Sequence, residues 1–298
     1  MTPSPPLHVT NGDVVAGLID AEPVLAWRDV LHEGPVPGSL SPAGLRVVRA
    51  RFLAECSWLD YEQALADMRD RDEALRDAGE VVLWFERDLY DQLQLLQVLD
   101  RLGRRPAALV DLGEPADSPD LDAEPRPVSS AQVKLGRTAW TAFRSSDPTA
   151  VEAVIAAGPA GLPFLGAALI RHLEQFPAVD DGLSRTERTI LEAVAAGSRT
   201  RAEVFADQAE REERPFMGDS SLWLHLDRLL GGRVPLLTEL DDLALTAAGE
   251  EVLAGGADSV RLNGIDRWLG GVRLRGDETP WRWDPRARRL VRTERGSA

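Results

Sequence analysis

Apolar positions in the first third of the chain fall into short continuous runs separated by stretches with helical spacing. Residues 7–9, 24–27, 81–85 and 107–112 are apolar runs of strand length. Between them, residues 14–19, 40–76 (broken near 56–59) and 93–99 repeat apolar side chains at intervals of three and four, the period of a helix with one buried face. Strands alternating with helices predict βαβ units and a parallel sheet, because parallel neighbours can be joined only through a crossover. The expected fold class is therefore α/β, with a Rossmann-like parallel sheet domain over residues 1–125. The sharpest handover lies in VVLWFERDLYDQLQLLQVLD at 81–100, where five apolar residues give way to Glu86, Asp88, Asp91 and Gln92 before the leucine-rich helix begins.

The remaining pattern is helical, then mixed. Residues 114–127, rich in proline and aspartate, read as a linker, and 131–143, 150–157 and 162–176 as helices, so that 126–180 is expected to be a helical connector. Helices are predicted over 186–196, 201–210 and 220–230, followed by a hairpin of 236–239 and 243–245 and a helix at 247–253. Three helices and then a hairpin is the order of a winged helix, and a winged-helix-like α+β domain is expected over 181–258. Residues 259–298 read as a hairpin turning at Asp284-Pro285 with a basic tail. There Arg282, Arg286, Arg288, Arg289, Arg292 and Arg295 interleave with Trp281 and Trp283, which suits either a solvated hairpin or a surface for single strands or phosphates.

Composition narrows the partners. With 49 acidic against 34 basic residues the formal charge is −15, which repels nucleic acid and anionic membranes at long range. Between 183 and 255 there are eight arginines and fourteen acidic residues. The helix that would enter a major groove offers Ser220, Ser221, Trp223, His225, Asp227 and Arg228, a set poor in phosphate-binding charge. Charge therefore disfavours DNA and favours a protein or intramolecular docking role. The single cysteine, Cys56, excludes an intramolecular disulfide and a cysteine-based metal cluster and suits a reducing compartment. No positively charged leader opens the chain, and its longest apolar run, 162–170, is about half a membrane span. A cytoplasmic protein with no membrane partner is expected.

Candidate chemistry follows from the sheet. In a parallel α/β sheet, ligands bind at the carboxyl ends of the strands. That edge gathers TNGD at 10–13, RDVLHEG at 28–34 and ERDLYDQ at 86–92. Converging carboxylates must be protonated, paired with arginine or neutralised by a cation, and hard oxygen ligands suit magnesium or manganese. Asp13, Asp29, Asp88 and Asp91 are the expected metal ligands. His32, Glu33 and Glu86 are the candidate catalytic groups, and Thr10, Asn11, Gly12, Arg28 and Gln92 the candidate ligand-binding groups. The implied reaction is metal-assisted attack or transfer at a phosphoryl or similar centre of a small-molecule or nucleotide ligand. Plainer roles compete: Asp13, Asp88 and Asp91 suit the first turns of helices, Glu86 can pair with Arg87 or Arg28, and His32 can be a loop histidine. Neither GxGxxG nor GxxxxGK[ST] is present, so the usual phosphate cradles are missing. The rival expectation is a ligand-responsive regulator whose winged helix reads DNA or a protein.

Six blocks resemble an uncharacterised bacterial family classed as a domain of unknown function: HVTNGD at 8–13, LAWRDVLHEGPV at 25–36, LWFERDLYDQLQLLQ at 83–97, GLSRTER at 182–188, RPFMGDSSLW at 214–223 and LNGIDRWLGGV at 262–272. The resemblance implies a two-part architecture over nearly the whole chain and supplies no reaction. The chain departs from the family pattern at Arg87, where histidine is expected, which tells against a metal scheme needing a histidine there.

Overall fold

The computed structural model describes residues 4–112 and 120–293. The first three residues, 113–119 of the expected linker and Arg295 of the tail lie outside the described residues. The chain divides into two compact units, residues 1–169 with 270–272 and residues 170–269 with 273–298. Among the described residues no helix is long and apolar enough to cross a membrane.

The chain begins β1 (Leu7–Thr10), α1 (Asp13–Leu18), β2 (Val24–Ala26), β3 (Gly34–Pro35), α2 (Pro42–Glu55) and α3 (Tyr61–Asp77). It continues β4 (Val81–Phe85), α4 (Leu89–Arg101), β5 (Ala107–Asp111), β6 (Arg126–Pro127), α5 (Ser130–Phe143), α6 (Thr149–Ala156) and α7 (Leu165–Leu173). Then come α8 (Arg185–Ala196), α9 (Arg201–Arg211), α10 (Asp219–Gly231), β7 (Leu237–Glu239), β8 (Leu243–Leu245) and α11 (Ala247–Leu253). The last elements are α12 (Ser259–Asn263), β9 (Ile265–Gly270), β10 (Val272–Gly276), β11 (Trp281–Asp284) and β12 (Arg289–Arg292).

The first unit is a mixed α/β structure around a five-stranded sheet in the order β2-β1-β4-β5-β6, parallel except for the short edge strand β6. The expected parallel sheet is thus present. β4 lies between β1 and β5 and is buried at all five positions, as its unbroken apolar run requires. On one side of the sheet Val82, Trp84 and Val110 pack with Val15 of α1, and α2 meets α3 through Ala50, Leu53, Ala64 and Met68. In α5, Gly136 is a close-approach position: a Cβ there would lie 2.6 Å from Leu99 of α4.

Helix α4 is the centre of this unit. Only Tyr90, Asp100 and Arg101 escape full burial, yet the interior positions include Asp91, Gln92, Gln94 and Gln97. Buried polar groups need partners, and the loop after β2 supplies several. Gln94 Nε2 donates to the Asp29 carbonyl (3.1 Å), and Gln97 Oε1 accepts from Trp27 Nε1 (2.6 Å). Arg71 lies 4.3 Å from the Trp27 ring centroid and donates to the Trp27 carbonyl (2.7 Å). Arg101, which pairs with Asp72, also lies over Trp27. Burial, with Arg71 nearby, lowers the Arg101 guanidinium to about 10.

The second unit contains α8, α9 and α10, then the β7–β8 hairpin and α11. α8 and α9 each start with a capping box, Ser184 with Glu187 and Thr200 with Glu203. Arg171 is clamped on Glu212, its Nε 3.1 and 3.0 Å from the two carboxylate oxygens, and Arg171 Nη2 donates to Thr186 Oγ1 (2.9 Å). The expected tail hairpin is present as β11–β12, in register from Trp281 opposite Arg292 to Asp284 opposite Arg289. Its arginine-rich end is solvated, with Arg286, Arg288, Arg289 and Arg292 exposed. Trp283 and Arg282 are interior, Arg282 Nη1 lies 3.0 Å from Asp258 Oδ2, and Arg292 lies over Trp281. Trp283 packs in the interior because the hairpin has one face turned inward, while Trp281 is half-buried.

Asp29, fully buried, is held by Arg49 (Nε to Oδ1, 3.0 Å) and Arg71 (3.5 Å). Removing one partner from a buried ion pair leaves uncompensated charge, at a cost of about 3–5 kcal/mol. Asp29→Ala is therefore expected to lose roughly that much stability in urea unfolding, and a loss within about 0.5 kcal/mol of zero would show the network to be dispensable.

Candidate functional site

From β1 the chain moves to β2 on one side, then crosses to β4 on the other, so the connections reverse direction between β1 and β4. In open α/β sheets the crevice at the carboxyl ends of the strands flanking such a reversal is where ligands bind. β1 ends at Thr10 and β4 at Phe85, so Asn11 and Glu86 enter this crevice side by side.

Three carboxylates meet there. Glu86, Asp88 and Asp91 each present an oxygen within 4.8 Å of the other two. The local sequence positions them: Asp88 caps α4, accepting from Asp91 N (3.0 Å), and Asp91 in the first turn reaches back to accept from Glu86 N (2.7 Å). The second Asp91 oxygen accepts from Asn11 Nδ2 (2.9 Å), which ties the end of β1 to the start of α4. Gln92 Nε2 donates to the Glu86 carbonyl (2.8 Å), and the Tyr90 hydroxyl donates to the Asn11 carbonyl (3.3 Å).

Two of these acids serve helix capping and first-turn bonding, yet their electrostatics exceed what a cap requires. Burial pushes the Asp88 carboxyl up to about 7 against the pull of its backbone hydrogen bonds, with Glu86 adding to the rise. Burial and the Asp88 charge push Asp91 well above the usual range, only partly offset by Asn11 and Glu86 N. Burial also raises Glu86. The Tyr90 phenol is raised by burial and by the Asp91 charge, so it stays protonated as a donor. Among the described residues no basic side chain pairs with any of the three carboxylates. Like charges this close are relieved by shared protons or by a cation, and three carboxylate oxygens are the hard donors that magnesium and manganese take.

The expected ligand set of four aspartates does not assemble. Asp88 and Asp91 come together, with Glu86 as the third acid rather than a separate base. Asp13 is exposed and paired with Arg28, whose Nε lies 3.0 and 2.9 Å from its two oxygens. Asp29 belongs to Arg49 and Arg71. In both cases a guanidinium supplied by another element neutralises the carboxylate. His32 and Glu33 are interior, with His32 in edge contact with Tyr90 (5.9 Å between centroids) and the Glu33 carbonyl accepting from Arg49 Nη1 (2.6 Å). Thr10 is buried and donates to the Gly12 carbonyl (2.9 Å). Gly12 has open space where a Cβ would be. Arg87 pairs with Asp111 (2.9 Å) and lies 4.5 Å from the Phe164 ring centroid.

Sequence reasoning missed Tyr90 and Gln94. The available signal was polar residues at 91, 94 and 97, three apart along one face of a leucine-rich helix, an arrangement that puts amides and acid into a core.

A carboxyl whose pKa rises on folding keeps its proton in the folded state after the unfolded chain has lost it, so stability falls as pH rises between the two values. For Asp88 that window runs from the usual carboxylate range to about 7. At about 1.4 kcal/mol per unit, wild-type protein is expected to be about 2–4 kcal/mol less stable at pH 8 than at pH 5 in metal-free buffer. Asp88→Asn, which keeps the cap oxygen, is expected to flatten that slope. Equal slopes for the two proteins in denaturant titrations would contradict this. No protein-family model matches the chain, and comparison with curated proteins finds no significant match.

Proposed function

We propose that the crevice between β1 and β4 is a divalent-cation site serving a phosphorylated or nucleotide ligand, and that the first unit is a Rossmann-like domain of a cytoplasmic, metal-assisted enzyme. The observation that carries this reading is the convergence of Glu86, Asp88 and Asp91, without a basic partner among the described residues, at the point where the strand order reverses. Glu86, Asp88 and Asp91 would hold magnesium or manganese, which would supply positive charge to the phosphoryl oxygens. Asn11 and Tyr90 orient the acids and the backbone of the β1 end, and Gly12 leaves room for a ligand to approach the main chain. A bridging cation also accounts for a phosphate ligand beside acids in a chain that lacks a glycine-rich cradle.

A second reading makes the protein a ligand-responsive regulator with a winged-helix-like second unit. It is favoured by the order of α8, α9, α10, the β7–β8 hairpin and α11. The hairpin tip exposes Leu240, Asp241 and Asp242, and Arg201 is already paired with Asp227 and Glu239. Such a face suits a protein partner better than DNA.

Thermal unfolding with manganese or magnesium chloride, with and without nucleoside phosphates, tests the first reading. The wild type is expected to gain at least about 2–4 °C with manganese, and Asp88→Asn and Asp91→Asn to lose the gain. No shift at millimolar cation, or an undiminished shift in both variants, would rule the cation site out.

A further inference from the structure

The sheet of the first unit has an open side at β2, the last strand in its order. His8 N donates to the Pro23 carbonyl (3.0 Å) and Trp27 N to the Thr10 carbonyl (2.9 Å). The alternation along a strand therefore turns Leu25 towards β1, and the amides and carbonyls of Val24 and Ala26 outward. Among the described residues, none of those four outward groups has a hydrogen-bond partner. An unpaired edge of this kind is a template for another strand. The end of β2 is held in place, because Arg71 lies over the Trp27 ring and donates to its carbonyl (2.7 Å).

An apolar groove lies beside β2. Leu25 and Ala26 line it from the strand, Ala64 and Met68 from α3, and Leu53 and Leu59 from the end of α2 and the turn after it. Its volume is about 260 Å³, below the roughly 300–1,000 Å³ of small-molecule sites. Space of this size suits side chains of an extended segment, in which every second residue falls on the same face. The charges around the groove are mainly acidic. Asp67 and Asp70 line it from α3, Asp20 and Glu22 precede the strand, and α3 as a whole carries six acidic residues against three arginines. The two arginines in the lining are already matched, Arg71 by Asp29 and Arg28 by Asp13. Asp70 is exposed and has no ion-pair partner among the described residues.

We infer that this edge is a docking surface for an extended, basic segment of another protein, which adds to the sheet as a further strand. The main chain of that segment pairs with Val24 and Ala26, which gives affinity, and an aliphatic side chain in the groove gives specificity. Lysine or arginine beside the aliphatic residue meets Asp67 and Asp70. Charge decides against a second copy of this chain as the occupant. A second copy brings its own acidic α3 against this one, in a chain whose formal charge is −15, whereas a basic segment is attracted to the same face.

Panning a phage-displayed library of random peptides against the full chain tests this, followed by fluorescence polarisation of the selected peptides made synthetically. Selected sequences are expected to share an aliphatic residue flanked by lysine or arginine and to bind with a Kd of about 100 μM or tighter. N-methylation of alternate peptide amides is expected to weaken binding by at least about tenfold in one register and to leave it within about twofold in the other, because a paired strand turns only every second amide to its neighbour. Asp70→Arg, an exposed substitution that leaves the fold intact by circular dichroism, is expected to weaken binding by at least about threefold. The inference is overturned if no peptide binds, if the selected peptides carry no basic residues, if the two N-methylated registers bind alike, or if Asp70→Arg leaves affinity unchanged. A chain that sediments as a stable dimer and takes no peptide points to a second copy on this edge and overturns it as well.

Discussion

Burial of polar side chains along α4 is the constraint on which the first unit depends. A helix at the centre of a sheet domain would satisfy its surroundings with leucines alone, yet this one carries Asp91, Gln92, Gln94 and Gln97 into the interior. An unmet buried amide costs about 1–3 kcal/mol, so each needs a partner with good geometry. Gln94 and Gln97 find theirs in the loop after β2, through the Asp29 carbonyl and the Trp27 indole. That loop is therefore held against α4 by hydrogen bonds rather than by apolar packing alone, and Arg49 and Arg71 hold it from α2 and α3.

The loop after β2 and the start of α4 show two solutions to buried negative charge. Asp29 is neutralised by guanidinium groups, a closed arrangement with no vacancy for a ligand. Asp88 and Asp91 have hydrogen-bond donors, Asn11 Nδ2 and the amides of Glu86 and Asp91, but no basic partner among the described residues. Their raised carboxyls are the physical sign of that difference. Amide donors orient a carboxyl without supplying positive charge to it, so burial and the neighbouring acids keep these groups raised at the sheet edge. Structural ion pairs and a candidate binding site thus arise from one layer of buried polar residues, divided by where the arginines reach.

In the second unit the charged pair Glu187 and Arg267 has a comparable relation to its surroundings. Glu187 helps start α8 through its capping box and also faces a cavity. Capping fixes one carboxylate oxygen, so the other is held in place without further support. The segment 263–267, from the end of α12 into β9, forms part of the cavity wall.

Periodicity alone determined most of the secondary structure: the apolar run of β4, the alternation with helices and hence the parallel sheet, the paired helices α2 and α3 with their break, and the tail hairpin. It determined these because strand and helix periods are local properties of the chain. The closeness of Glu86, Asp88 and Asp91 was also legible, since they occupy a single strand-to-helix turn, but not their grouping as three acids, because Glu86 was read as a separate base and Asp13 and Asp29 as ligands. What tertiary structure alone decided was the fate of each charge. Asp13 and Asp29 looked equivalent to Asp88 in sequence, but Arg28, Arg49 and Arg71 reach them through side-chain geometry that spacing does not encode. Tyr90 and His32 meet, Trp283 turns inward, and Glu187 finds Arg267 across eighty positions of chain for the same reason. Neutralisation depends on distances of a few ångströms between elements remote in sequence, and those distances are set only when the elements pack.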